Sequence, residues 1–322
     1  MSKRALITGV AGQDGTYLSE LLLGKGYEVW GVVGPYPGDF LEWAEQFDGR
    51  LHPVSANLTD MASLLAAVEV SEPDEVYNFA AQSSVGSSFE QAIATTEVNA
   101  VGVLRMLEAI RQLAPEARFF QASSAEMFGN AAEMPQRETT PLHPRSPYAA
   151  SKTYAFHIIG SYRDSYGMHA NNGILFNHES PMRGLQFVTR KITEGAARIK
   201  LGMAEELRLG NLDAQRDWGF AGDYVECMWR MLQQETPDDF VIASGEVHTV
   251  RDFCKAAFAR LDLDYSEFVV VDPAFFRPVD VNILYGDPAK ARKVLGWEPK
   301  VSFEGLVEMM VDADMERLAV LR

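Results

Sequence analysis

Short apolar runs alternate along the first half of the chain with stretches whose apolar positions recur at helical spacing. Arg-Ala-Leu-Ile-Thr (4–8) predicts a buried first strand, and Tyr-Leu-Ser-Glu-Leu-Leu-Leu (17–23) predicts the helix after it. Residues 28–33 predict a second strand, residues 74–79 a later one, residues 101–113 a helix and residues 118–123 a further strand. Strands and helices taken in turn predict an α/β fold with a parallel, doubly wound sheet. Residues 173–184 predict one more strand and a loop, after which segments shorten and basic and aromatic residues become more frequent. That shift predicts a smaller C-terminal lobe. The expected division is 1–172, mainly the sheet with its ligand, and 173–322, mainly a substrate-binding lobe, with the chain crossing between the two.

The first strand and first helix are joined by Gly-Val-Ala-Gly-Gln-Asp-Gly (9–15). Strand, glycine turn and helix are the context of a dinucleotide-binding fingerprint, which makes the predicted sheet Rossmann-type. Gly9 permits the tight turn, Gly12 lets backbone approach a pyrophosphate and Gly15 allows close helix packing, while the helix N-terminus offers N–H groups and a positive dipole end. Downstream, Ser-Pro-Tyr-Ala-Ala-Ser-Lys (146–152) puts Tyr148 and Lys152 on one helix face. A phenol keeps its proton to about pH 10, and a nearby ammonium favours the phenolate, turning the pair into a base. Alone, such a pair reads more often as a surface tyrosine and lysine. After a glycine fingerprint it reads as a nicotinamide-dependent redox site.

Composition narrows the class. At 322 residues, 47% of them hydrophobic, the chain can form one large or two moderate cores. No apolar run approaches a membrane span, and Met-Ser-Lys-Arg leads straight into the first strand without a signal-peptide pattern, so a cytoplasmic location is expected. Cys227 and Cys254 fit a reducing compartment, have no metal-ligand spacing and are expected in the core. A net charge of −16 argues against nucleic acid or a membrane surface as partner. An anionic substrate therefore requires a local cluster of cations.

Several stretches carry a family resemblance: Thr-Gly-Val-Ala-Gly-Gln-Asp-Gly (8–15), Tyr-Asn-Phe-Ala-Ala-Gln-Ser (77–83), Pro-Arg-Ser-Pro-Tyr (144–148), Gly-Ile-Leu-Phe-Asn-His-Glu-Ser-Pro (173–181), Phe-Val-Thr-Arg-Lys (187–191), Arg-Asp-Trp-Gly (216–219) and Phe-Phe-Arg-Pro (275–278). Over nearly its whole length the chain resembles the extended short-chain dehydrogenase/reductases and, among them, the GDP-mannose 4,6-dehydratases. The resemblance implies a catalytic set of Ser124, Glu126, Tyr148 and Lys152, with no metal. Tyr148 would take the proton of the sugar C4 hydroxyl beside Ser124, and Glu126 would remove the C5 proton and protonate the departing C6 oxygen. It implies cofactor contacts at Gly9, Gly12, Gln13, Asp14, Gly15, Asn57, Leu58, Ala80, Ala81, Ser83, Tyr148, Lys152, His178 and Arg183. His178 reads as a structural or cofactor-edge residue rather than a general base. Asn177, Val188, Lys191, Arg216, Arg277 and Asp280 fall on positions that hold the nucleoside diphosphate of a GDP-sugar.

The sequence departs from the family pattern in places. Ser124 replaces a usual Thr, Ala125 a usual Ser, Asn57 a usual Asp and Asp280 a usual Glu. Ser-Ser-Ala is similar to the nucleotide-sugar 4-epimerases, so 4-epimerisation is a competing reading, as is dehydration of a different GDP-sugar. Epimerases generally lack an acid at the Glu126 position. A solvated loop carboxylate at Glu126, or a non-catalytic cofactor-sensing protein, are the remaining alternatives. The family implies NADP, yet Gly-Pro-Tyr-Pro-Gly (34–38) lacks the arginine pair suited to a 2′-phosphate and Val33 stands where an acid would bind a ribose hydroxyl, so NAD stays open. A homodimer or homotetramer is expected.

Overall fold

The computed structural model describes residues 2–34, 44–47, 49–276 and 281–320. Six strands enter the main sheet in chain order: β1 (Arg4–Thr8), β2 (Glu28–Val33), β3 (Leu51–Ser55), β4 (Glu75–Asn78), β5 (Arg118–Ser124) and β6 (Ala170–Leu175). With Phe240–Ile242 on the edge beside β6 they make a seven-stranded sheet, ordered Phe240–Ile242, β6, β5, β4, β1, β2, β3, each neighbouring pair parallel. Strands β4 and β6 are buried along their whole length because helices cover both faces. On one face Gln13–Gly24 and Ala221–Leu232 pack over Ile7, Leu18, Val29 and Met228. On the other, Met61–Ser71, Gly102–Leu113 and Pro147–Tyr166 enclose Leu64, Val76, Leu107, Phe119 and Ile159. The α/β, doubly wound expectation is borne out. Strand order reverses between β1 and β4, which opens a crevice at their carboxyl ends.

After β6 the chain builds a smaller lobe. Val188–Lys200, Val250–Ala259 and Phe303–Ala319 close around Ile192, Trp218, Phe253, Phe303 and Met310, edged by two- and three-stranded sheets. The expected division at 172/173 falls inside β6, and Phe240–Ile242 returns from the second half to the main sheet. Cys227 and Cys254 are buried, free thiols. Among the described residues no helix is long and apolar enough to cross a membrane, and no three His, Cys, Asp or Glu side chains gather as metal ligands.

The first helix begins at Gln13, ahead of the apolar pattern that starts at Tyr17, because its first turn, Gln13–Thr16, carries no large apolar side chain. The helix expected from residue 101 becomes regular at Gly102 after a wider, π-type turn over Glu97–Val101.

Candidate active site

The glycine loop is set by close backbone approach. Gly9 has φ +68°, and a Cβ on it would lie 2.8 Å from Ala80 N; a Cβ on Gly15 would lie 2.4 Å from the Val10 carbonyl. The turn thus presses against the loop that follows β4, and the helix Gln13–Gly24 starts hard against the turn. The first amides of a helix have no intrahelical acceptors, so this end of Gln13–Gly24 suits an anion. Asn57 and Leu58 follow β3 on the same side of the sheet. Leu58 is buried, while exposed Asn57 accepts from Thr59 N at 3.0 Å.

The side chains of Gln13 and Asp14 are held by the protein itself. Gln13 Nε2 donates to the His178 carbonyl at 3.1 Å, and its Oε1 accepts from Ser180 Oγ at 2.8 Å. Asp14 Oδ2 lies 2.9 Å from His178 Nε2, while His178 Nδ1 faces the Phe176 carbonyl at 2.8 Å. Both ring nitrogens meet acceptors, which favours the imidazolium. Burial works against the charge, but Asp14 outweighs it and raises the His178 pKa; the same pairing lowers Asp14 in spite of its burial. Tyr224 stacks on the imidazole with ring centroids 4.9 Å apart.

The Tyr148–Lys152 pair is placed by a helix cap. Ser146 Oγ accepts from Ala149 N at 3.1 Å and Pro147 occupies the first position, so Pro147–Tyr166 begins here and Tyr148 and Lys152 occupy its first two turns, both buried. Lys152 Nζ lies 5.9 Å from the Tyr148 ring centroid and donates to the Ala122 carbonyl at 2.7 Å. The expected lowering of the phenol pKa by lysine is not what the chain alone produces. Burial raises Tyr148 above its usual value more than a hydrogen bond with Ser124 lowers it, and Glu126 adds to the rise. Burial also takes Lys152 down to about 8, against the pull of Asp14. Tyr148 and Lys152 lie in the first two turns of one helix, and desolvation reverses the expected direction of the phenol shift.

Glu126 sits on the short turn Ala125–Phe128 directly after β5, half-buried, its backbone N–H donating to Ser124 Oγ at 3.2 Å. It lines a cavity of about 190 Å³ together with Asp14, Ala81, Ser83, Ser124, Tyr148, Lys152, Asn177, His178 and Arg183. A second cavity of about 230 Å³ shares Glu126, Asn177 and Arg183 and continues past Val188, Lys191 and Arg216. Most of the sequence-named residues therefore meet in one two-part cleft. Gly9, Gly12, Gln13, Gly15, Asn57, Leu58 and Ala80 lie outside both parts, Gln13 and Gly15 in the first turn of the helix Gln13–Gly24 and the others on the loops after β1, β3 and β4. Arg277, Asp280 and residues 35–38 lie outside the described residues.

Sequence reasoning missed Arg208, Gln186, Phe187, Asn211 and Phe275, which also line the second cavity. Arg208 comes from the three-residue strand Leu207–Leu209 and pairs with Glu206 at 2.6 Å and Asp272 at 3.3 Å. The signal was a basic residue flanked by two leucines, too short to read as a strand. Arg183 is held by Glu179 at 2.9 Å and lies 3.6 Å from the Phe187 ring centroid. Lys191, Arg208, Arg216 and Arg183 supply the local positive charge that an acidic chain needs for an anion.

Fold and site together put the chain among the extended short-chain dehydrogenase/reductases. A family model described as GDP-mannose 4,6 dehydratase matches residues 6–310. GDP-mannose 4,6 dehydratase 2 of Arabidopsis thaliana is 52% identical over 326 residues, spanning 98% of this chain and 87% of the relative. GDP-mannose 4,6-dehydratase of Sinorhizobium fredii is 48% identical over 342 residues, spanning 98% and 97%. Among solved structures, UDP-glucose 4-epimerase of Thermus thermophilus in complex with NAD superposes with a TM-score of 0.85 at 28% identity, covering 97% of this chain and 98% of that one. The chain belongs to the GDP-mannose 4,6-dehydratase family.

Proposed function

We propose that this chain is a hydro-lyase that converts GDP-mannose to GDP-4-keto-6-deoxymannose. The observation that carries the reading is the half-buried Glu126 on the same cavity wall as Ser124, Tyr148 and Lys152, opening into a cation-lined second cavity. A redox set alone would serve a 4-epimerase equally well. The carboxylate supplies the proton transfers that elimination needs and epimerisation does not.

The chain fits a nicotinamide dinucleotide: the glycine loop approaches at backbone distance and the helix Gln13–Gly24 presents its N-terminus to the crevice. A bound nicotinamide would supply the hydride acceptor for C4 and the hydride donor for C6. Tyr148 takes the C4 hydroxyl proton while Ser124 orients that oxygen and Lys152 supplies positive charge. With C4 oxidised, the C5 proton is acidic. Glu126 removes it and passes a proton to the C6 oxygen as water leaves. Lys191, Arg216 and Arg183 meet the diphosphate, with Asn177 and Val188 beside them. The main sheet takes the cofactor and the smaller lobe the nucleotide sugar. We assign NADP on family grounds; the absence of arginine from residues 34–38 is the observation favouring NAD, and dissociation constants for the two decide it. A cytoplasmic homodimer or homotetramer completes the reading, with light scattering as its measure.

The test is incubation of the purified protein with a panel of nucleotide sugars and mass analysis of the products. Loss of one water from GDP-mannose is expected. An isomer of unchanged mass would overturn dehydration in favour of epimerisation.

A further inference from the structure

Beneath the redox site runs a line of buried polar side chains that the catalytic reading leaves unused. Thr8 and Asn78, the last residues of β1 and β4, and Gln121, at the middle of β5, are register partners. Their exposures are 0%, 1% and 1%. Buried polar groups destabilise unless they are hydrogen-bonded, and here they satisfy one another. Ala80 N donates to Thr8 Oγ1 at 3.1 Å, and the Thr8 hydroxyl donates to Asn78 Oδ1 at 2.6 Å. Asn78 Nδ2 donates to Gln121 Oε1 at 2.8 Å, and Gln121 Nε2 donates to the Ala122 carbonyl at 3.0 Å. All four bonds run in one direction, so each polarises the next. The last acceptor is also the carbonyl that receives Lys152 Nζ at 2.7 Å. The first donor belongs to the residue against which Gly9 packs.

We propose that Gln121 is a positioning residue for Lys152, acting through the Ala122 carbonyl at the end of a hydrogen-bonded chain that starts beside the glycine loop. A carbonyl oxygen has two lone pairs, and these two donors take them both. The amide of Gln121 draws density from the oxygen that the ammonium also uses. It thereby fixes where Nζ sits and limits how strongly the charged form is held. Asp14 faces Lys152 from Gln13–Gly24, Tyr148 stands one turn earlier on its own helix, and Glu126, His178 and Arg183 line the same cavity. The proposal rests on Tyr148 and Lys152 being the redox pair.

The experiment is the pH dependence of the first hydride transfer in a single turnover, read by reduced-nicotinamide absorbance, for the parent, Gln121→Met, Thr8→Val and the double variant. The basic limb of that rate follows loss of the Lys152 proton. Removing the Gln121 donor leaves the carbonyl a better acceptor for the ammonium, so the limb moves to higher pH by about 0.1 to 0.7 unit, the fraction by which one neighbouring hydrogen bond alters a charged one. Thr8→Val, at the far end of the chain, moves it the same way by less, and the double variant moves it no further than Gln121→Met. A rate that falls equally at all pH values, with the limb unmoved, overturns the proposal and leaves Gln121 as sheet structure only. If Gln121→Met does not fold, near-isosteric Thr8→Val decides by the same criterion. Tyr148→Phe, run in parallel, tests the redox pair itself: full hydride transfer there would sink the underlying reading, whatever Gln121 does.

Discussion

Asp314, on the C-terminal helix Phe303–Ala319, is 1% exposed and accepts from Arg190 Nη2 at 2.5 Å, Arg190 Nε at 2.9 Å, Thr193 Oγ1 at 2.7 Å and Arg317 Nη1 at 2.6 Å. Arg190 also donates through Nη1 to the Arg183 carbonyl at 2.8 Å, and Arg317 Nη2 to the Pro181 carbonyl at 3.2 Å. The cluster therefore clips residues 180–187, which carry Arg183, Gln186 and Phe187 into the cleft. Asp314→Ala leaves a buried guanidinium without its counter-charge, a loss of about 3 to 5 kcal/mol. At about 2 to 4 °C per kcal/mol, the melting temperature should fall by about 6 to 20 °C. Burial pushes the Asp314 carboxyl above its usual pKa more than Arg190 and Thr193 pull it down, so the pair offsets little of its own desolvation. The double variant Arg190→Met, Asp314→Leu should thus recover most of the lost stability. It also takes the donor from the Arg183 carbonyl, so KM for the nucleotide sugar should still rise about tenfold, the worth of one hydrogen bond. Circular-dichroism melts and steady-state kinetics read the two effects separately. An Asp314→Ala melt within about 2 °C of the parent, or a double variant no more stable than the single one, would refute the reasoning.

Tyr148→Phe should still bind cofactor but lose about 10² to 10⁴ in the rate of C4 oxidation, seen by stopped-flow absorbance; parent-like turnover would remove Tyr148 from the mechanism. The Asp14–His178 pair predicts a pH window. Asp14 is lowered from its usual 3.8, so its contribution is present above 3.8 and is lost as pH falls through its folded value. His178 is raised from 6.5, so its contribution is full below 6.5 and is lost as pH rises through its folded value. Unfolding free energies of parent and Asp14→Asn should accordingly differ most between those two pH values and converge on either side, and a difference that does not vary with pH would contradict the pairing.

What the sequence disclosed was what local chemistry requires. The glycine spacing at 9–15 was legible because a turn at backbone distance from Ala80 tolerates no Cβ, and the helix bearing Tyr148 was read from the four-residue spacing of Tyr148 and Lys152, not from the Ser146 cap and Pro147 that start it. Alternating apolar runs were enough for the doubly wound sheet. Partnerships that depend on distant chain meeting were not legible. His178 finds Asp14, and Arg190 finds Asp314, across separations that no spacing rule covers. The three-residue strands Leu207–Leu209 and Phe240–Ile242 are too short to show a period, which hid Arg208 and the return of the chain to the sheet edge. The direction of the Tyr148 shift was missed for a related reason. Lys152 could be counted from the sequence, but the burial that raises the phenol could not.

The most direct test of the account is Glu126→Gln in deuterated water with GDP-mannose as substrate. The parent should lose one water and carry deuterium at C5. The amide cannot accept the C5 proton but keeps the size of the carboxylate. With Ser124, Tyr148 and Lys152 intact, the variant should still oxidise C4 and accumulate reduced-nicotinamide absorbance, with no 6-deoxy product and no deuterium at C5. Elimination by Glu126→Gln at the parent rate would contradict the role assigned to this carboxylate, and with it the mechanism built on it.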